Sequence, residues 1–246
     1  MKLYPHEKIG ILGYGEVGRA VAQFYEEPLI KDITREDGLF NLDVLNVCIP
    51  FEDKEGFCKI VIDEIKQSKA SLTIIHSTVS PGTTRYIKEN IPEEYEVAHS
   101  PVRGIHPFLY EGLKTFVKYV SSPTNRGLAQ AIVHLQCIGY NVKHMNEPET
   151  SELAKLLSTT YYGMCIAWTG EMKKFCDEVG ADFNEAVRMW NETYNEGYTE
   201  LGHPNFARPI LYSPDGPIGG HCVTSNARLL EKIKDSTALE LIKEYS

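Results

Sequence analysis

Three glycines at fixed spacing constrain this chain more than any other feature. A short apolar run, Lys8-Ile9-Gly10-Ile11-Leu12, meets Gly13-Tyr14-Gly15-Glu16-Val17-Gly18 and continues as Arg19-Ala20-Val21-Ala22-Gln23-Phe24-Tyr25. The apolar run reads as a buried strand, the glycines as a tight turn, and the spacing beyond them as an amphipathic helix. A second strand follows at Pro28–Ile33, with Asp32 near its end.

The next elements keep the alternation. Asp43–Ile49 reads as a buried strand ending at Pro50, Lys54–Ser68 as a helix, and Ser71–His76 as a strand. After Ser77-Thr78-Val79-Ser80-Pro81-Gly82-Thr83-Thr84 a helix runs to about Asn90, and strand-like pieces at Tyr95–Ala98, Phe116–Val120 and Tyr140–Val142 flank a helical stretch, Asn125–Gln136. Strands alternating with helices imply an α/β fold with a mostly parallel, Rossmann-type sheet covered on both faces. From Glu149 the period changes. Leu153, Leu156, Leu157, Tyr161, Met164, Ala167, Trp168 and Met172 return at steps of three or four as far as Val179-Gly180, which predicts one long helix. Helices are expected at Phe183–Tyr194 and Ser225–Tyr245, separated by a Gly- and Pro-rich loop, Leu201–Val223. Residues 1–147 are expected to form one domain, and 148–246 a helical domain built on the long helix.

The glycine pattern acquires chemical meaning from its surroundings. Gly13 permits the tight turn, Gly15 lets a pyrophosphate approach the backbone, and Gly18 allows close helix packing. The N–H groups of Tyr14, Glu16 and Val17 lie where a helix start attracts phosphate. Asp32 follows Gly13 by about twenty residues, the spacing at which an acid accepts the ribose hydroxyls of a dinucleotide. Such an acid would repel a 2′-phosphate, so NAD is expected over NADP; the plainer reading of Asp32 is a loop cap.

Composition removes other classes. With 25 Lys and Arg against 34 Asp and Glu, the net charge of −9 leaves no basic stripe for nucleic acid. No apolar run approaches the ~20 residues that span a bilayer, and the start lacks the layout of a secretory signal, so a cytoplasmic protein is expected. The six cysteines are widely spaced without a Cys-x-x-Cys pair, and the histidines show no ligand spacing, so neither disulfides nor a metal is expected.

Two residues stand out individually. Gly219-Gly220-His221-Cys222 could curl a backbone around a ligand and present the Cys222 thiol at a helix start, where thiolate is favoured. The plainer reading is a buried cysteine after a turn. Lys155 shares a face of the long helix with Glu152 and Thr159; it is either a solvated residue between apolar neighbours or an ammonium aimed at a developing oxyanion. The apolar stripe of the long helix exceeds what a small domain covers, and a homodimer through that helix is expected.

In combination these features resemble the UDP-glucose/GDP-mannose dehydrogenase family, within the 6-phosphogluconate-dehydrogenase-like superfamily. The resemblance rests on Gly13–Gly18, Asp32-Ile33, Ser77-Thr78-Val79 with Pro81-Gly82-Thr83-Thr84, Ser100-Pro101, Glu152-Leu153-Ala154-Lys155-Leu156, and Gly219–Cys222. It implies an NAD-dependent oxidation of an alcohol to a carboxylate by two hydride transfers. Cys222 would capture the aldehyde as a thiohemiacetal, which a second oxidation turns into a thioester for water to hydrolyse. Lys155 would stabilise the alkoxide-like oxygen, and Thr78 would sit near the nicotinamide. Pro50 and Ser77 join the candidate cofactor residues, Thr159 and Asn226 the candidate catalytic ones. Arg103, His106, Arg208, Gly219, Gly220 and His221 are the candidates for holding a small-molecule alcohol.

The departures from the family pattern are equally specific. Val102 stands where the family has a Glu assisting thioester hydrolysis, Thr159 where it has Asn, and Asn226 where it has an Asp that helps activate water. Neither an amide nor a methyl group takes a proton, so the hydrolytic half lacks the family's proton acceptors at these positions. The stretch from Asp32 to Asp43 is short for the family's extra helix and strand, and the chain reads as a short form without the family's C-terminal nucleotide-sugar domain. A carbonyl or imine reductase of the β-hydroxyacid-dehydrogenase type, with Cys222 idle, and a catalytically lapsed NAD-binding module are the alternatives.

Overall fold

The structure, a computed structural model, describes residues 7–104, 107–214, 216–218 and 221–246, with His221 described through its backbone alone. Its contacts divide the chain into two compact units that meet between Lys155 and Leu156, within the long helix.

In the first unit, strands β1 (Ile9–Leu12), β2 (Leu29–Asp32), β3 (Arg35–Glu36), β4 (Val44–Val47), β5 (Leu72–Ile75) and β6 (Glu96–His99) form one sheet in the order β3-β2-β1-β4-β5-β6. All neighbours are parallel except β3, which turns back on β2. Helices α1 (Glu16–Ala22), α2 (Lys54–Ser68), α3 (Thr83–Glu89), α4 (Leu109–Thr115) and α5 (Asn125–Cys137) alternate with the strands, and β7 (Lys118–Val120) pairs in parallel with β8 (Val142–His144) in a separate ribbon. The two-residue period of the strands sorts their side chains onto two faces. Ile9, Ile11, Val44 and Ile74 pack with Val21, Ala131 and Leu135 on one side. Leu12, Leu45, Val47 and Ile75 pack with Phe57, Val61, Ile65 and Ile87 on the other.

The long helix α6 spans Pro148–Val179. Its first turns are fastened to the sheet unit by side chains. Glu152 accepts from the backbone N–H groups of Gly82 (2.7 Å) and Thr84 (2.8 Å) and from the Thr84 hydroxyl (2.7 Å), so a carboxylate on α6 satisfies the orphan donors at the start of α3. Ser151 Oγ lies 2.6 Å from His99 Nδ1 at the end of β6.

Several elements depart from the sequence-based expectation. The hairpin strand β3 and helix α4 were not expected; both are short and mostly exposed or built on few apolar positions, so periodicity carries little signal there. The helix expected at Phe183–Tyr194 is a π-helical turn, Asn184–Met189, continued by α7 (Trp190–Glu200). The single helix expected at Ser225–Tyr245 is two, α8 (His221–Glu231) and α9 (Thr237–Glu244). Val223, Asn226, Ala227 and Leu230 are buried at helical spacing, which carries α8 back to His221. Ser236 in extended conformation starts α9 afresh.

Candidate active site

The loops at the carboxyl ends of β1, β4 and β5 meet where the strand order reverses, the position at which open α/β sheets bind ligands. Gly13 has φ +90°, and its N–H donates to Lys31 O at 2.8 Å. A β-carbon there would lie 2.9 Å from the Cys48 carbonyl, because the turn after β1 crosses close to the end of β4. A β-carbon on Gly18 would lie 2.0 Å from Gly13 O, so α1 reaches this closeness to the turn only with glycine. Gly15 is different. It precedes the first residue of α1, and a β-carbon there would meet nothing within 4 Å, leaving the helix start open to an incoming group. Glu16 is exposed and Val17 half-buried against the core.

Asp32, at the last position of β2, accepts the Tyr14 N–H through Oδ2 at 2.5 Å. This bond ties the acid to the glycine turn and leaves its second oxygen unclaimed by that contact. The Tyr14 ring carries the Arg19 and Arg35 guanidinium groups at 5.8 and 5.9 Å. Ser77 is buried, and its hydroxyl donates to Ile49 O at 2.6 Å, fixing the loop after β5 against the loop that carries exposed Pro50. Thr78 beside it is half-buried. Gly13–Gly18, Asp32, Pro50, Ser77 and Thr78 thus converge on one end of the sheet. The cradle fits a dinucleotide: an open helix start, a backbone with no β-carbon in the way, and an acid one strand over.

The remaining predicted residues have their own settings. Arg103, half-buried in the loop after β6, stacks between Phe116 (5.3 Å) and Tyr119 (5.6 Å). Lys155 is half-buried in α6, one turn beyond Glu152. In the second unit, Thr159 is half-buried on α6, and Asn226 is buried on α8. Cys222 is exposed and lies within the first turn of α8, a correction to the loop position expected from sequence. Of the other cysteines, Cys48, Cys58 and Cys176 are buried, and burial pushes the Cys48 thiol up to about 12 and the Cys58 thiol to about 11. Arg208 packs its guanidinium 3.5 Å over Tyr194, and its backbone pairs with both ends of the Asn195 amide. His106, Gly219, Gly220 and the His221 side chain lie outside the described residues. Among the described residues no three His, Cys, Asp or Glu side chains gather as metal ligands, and no helix is long and apolar enough to cross a membrane.

Sequence reasoning missed a buried polar chain beneath these loops. Lys118 Nζ donates to Ser100 O (2.6 Å) and Pro101 O (3.0 Å) and lies 3.1 Å from His76 Nδ1; His76 Nε2 lies 2.9 Å from Asn46 Oδ1. The available signal was period two: Lys118 and Val120 share the buried face of β7.

Residues 149–244 match the central domain of the UDP-glucose/GDP-mannose dehydrogenase family. The UDP-N-acetyl-D-mannosamine dehydrogenase of Methanococcus maripaludis is 22% identical over 229 residues, covering 88% of this chain and 51% of the relative. The chain therefore spans about half the length of the curated relatives it matches. A solved UDP-N-acetylmannosamine dehydrogenase from Pyrococcus horikoshii superposes with a TM-score of 0.77 at 17% identity, covering 97% of this chain and 68% of that one. The 3-hydroxyisobutyrate dehydrogenase of Mycobacterium tuberculosis has a TM-score of 0.70 at 13% identity, covering 97% of this chain and 91% of that one. These likenesses establish the fold: a mostly parallel α/β sheet followed by helices, as in dehydrogenases.

Proposed function

We propose that this chain is an NAD-dependent dehydrogenase that oxidises an alcohol of a nucleotide sugar. The observation that carries the reading is the Asp32–Tyr14 bond at an open glycine turn, supported by the match of residues 149–244 to the central domain of this dehydrogenase family. The α1 N–H groups hold the pyrophosphate, and the free oxygen of Asp32 accepts from the ribose. Bound NAD supplies the hydride acceptor. Ser77 and Thr78 line the nicotinamide end, and Arg103, held flat by Phe116 and Tyr119, presents its guanidinium to an anionic substrate group.

Lys155 is the oxyanion stabiliser in this reading, its ammonium donating a hydrogen bond to the alcohol oxygen while that oxygen gives its proton to water and the neighbouring carbon would give its hydride to the bound NAD. Cys222 is the nucleophile: its thiolate adds to the aldehyde carbon, and the carbonyl oxygen takes up a proton to give a thiohemiacetal. Its exposure and its place in the first turn of α8 leave the sulfur accessible to a substrate carbon. Val102 and Asn226 carry no group able to take a proton from water, so the reading predicts that the second half, thioester hydrolysis, is the slow part. The exposed apolar face of α6, with Leu157, Tyr161, Trp168 and Phe175, supports a homodimer through that helix.

The test supplies the purified protein with NAD and UDP-N-acetyl-D-mannosamine or UDP-glucose and follows reduced nicotinamide by absorbance. Turnover with either that is lost in Lys155→Ala supports the reading. Undiminished turnover in both Lys155→Ala and Cys222→Ala sinks the residue roles, and no reduction with any nucleotide sugar sinks the substrate class.

A further inference from the structure

We propose that Lys118 is a positioning residue for the nicotinamide end of the site: its ammonium clamps the loops after β5 and β6 together and releases them when it loses its proton. The proposal rests on the reading of the sheet unit as a dinucleotide-binding domain. Lys118 is 2% exposed and bonds to three groups: the carbonyls of Ser100 and Pro101, in the loop that leads to Arg103, and the ring of His76, immediately before Ser77 and Thr78.

Counting donors shows why the charged form is required. An ammonium offers three N–H groups to three acceptors, provided that His76 Nδ1 is bare and Nε2–H donates to Asn46 Oδ1. Asn46 is held in that orientation from its other end, its amide nitrogen donating to Gly10 O at 3.4 Å, while its Oδ1 also accepts from Tyr25 Oη at 3.3 Å. A neutral amine has two N–H groups. It must drop one acceptor, or His76 must move its proton to Nδ1, which turns a bare Nε2 toward the Asn46 oxygen. Rotating the Asn46 amide to repair that contact breaks its bond to Gly10. Every neutral arrangement loses a hydrogen bond among buried groups.

The surroundings place this loss near neutral pH. Burial pushes the Lys118 ammonium down to about 7, with Lys155 of α6 adding to the shift and Cys48, after β4, opposing it. The groups facing it are otherwise neutral: His76 is held well below its ordinary range by burial and Lys118, His99 of β6 is lowered to about 3, and Tyr140 lies with its ring 5.8 Å from Nζ. The three acceptors of Lys118 carry no charge.

The experiment titrates NADH into the wild-type protein and into Lys118→Met and His76→Leu, from about pH 6 to about pH 8.5, reading the emission of the bound nicotinamide, with thermal melting alongside. Wild-type affinity is expected to weaken about tenfold across the range, the loss of one charge-assisted bond. Lys118→Met should bind weakly at every pH, and in His76→Leu, where two acceptors remain for two donors, the pH dependence should flatten. Lys118's own contribution to stability runs the other way: the unfolded chain keeps its proton above pH 7 and the native state does not, so this contribution grows with pH while affinity falls. A merely structural lysine would not move the two readouts in opposite directions. A flat wild-type profile, or a Lys118→Met protein that keeps the wild-type profile, overturns the proposal even if NADH binds well. If Lys118→Met does not fold, the wild-type and His76→Leu profiles decide. Failure of the wild-type protein to bind NADH at any pH overturns the dinucleotide reading and this proposal with it.

Discussion

The two units solve the burial problem in opposite ways. In the sheet unit Ile11, Leu45, Ile74 and Ile75 are fully buried between helices on both faces, and polar groups that fall inside, such as Asn46, His76, His99 and Lys118, find partners. In the helical unit the π-turn and α7 bury no residue fully, and Phe175, Trp190 and Leu201 are more than 60% exposed. A parallel sheet closes its own core because crossover helices cover both faces. A helical layer leaves a face uncovered unless something packs on it. The contrast teaches that the buried polar chain lies under the proposed cofactor site, while the π-turn and α7 leave their apolar residues exposed.

Four measurements would break or sharpen that comparison. Gly18→Val should have the largest effect, because its side chain meets Gly13 O: NADH binding is lost, and urea unfolding registers about 3 kcal/mol of destabilisation. Normal NADH affinity in this variant would remove the glycine turn from the site.

Acid should weaken the sheet unit next. His99 is buried beside Ser151 and Ser77, and desolvation lowers it to about 3. Unfolded, the same ring takes a proton near pH 6.5, so the unfolded state binds more protons between about 6.5 and 3, and stability falls as pH drops through that window by about 1.4 kcal/mol per unit. Denaturant midpoints from pH 7 to pH 4 check the slope, which should shrink in His99→Asn; an unchanged slope would mean that His99 is protonated in the native state.

Glu152→Gln should cost about 1–3 kcal/mol, because the two backbone donors use different carboxylate oxygens and one would face an amide nitrogen instead. Rescue of the lost stability by any other substitution at Thr84 would argue against this cap. The smallest effect on folding is expected at exposed Trp190. Trp190→Ser should move unfolding by about 0.5 kcal/mol or less, and sedimentation should report less self-association if that face is covered by a second copy. A large drop in the unfolding midpoint without a change in mass would show that the helical unit covers Trp190 itself.

Much of the fold was legible because its elements are periodic. The strands at β1, β4 and β5 are short apolar runs, α6 keeps its stripe for 32 residues, and the expected ends fall within a few residues of the observed ones. The glycine turn was legible because each glycine answers a specific backbone demand, and the positive φ of Gly13 and the closeness of Gly18 to Gly13 are those demands in three dimensions. The helical start at His221 was not, because a Gly-Gly segment ahead of it reads as loop and the buried spacing of Val223, Asn226 and Ala227 is short. Glu152 read as one of three residues on a helix face; its carboxylate instead caps α3, a partnership about seventy residues distant in sequence that no local pattern announces.

The sequence by itself determined the order of elements, the glycine turn with its acid at the end of β2, and the motifs that match a dehydrogenase family. Those are local facts, set by periodicity and by what a backbone without a side chain can do. Only the tertiary structure decided what stands beneath the site. Lys118 looks like any strand lysine until β5, β6 and β7 bring two carbonyls and a histidine within 3.1 Å of its nitrogen. The number of donors a buried cation must satisfy depends on neighbours that the chain supplies from elsewhere, and burial alone makes that number matter.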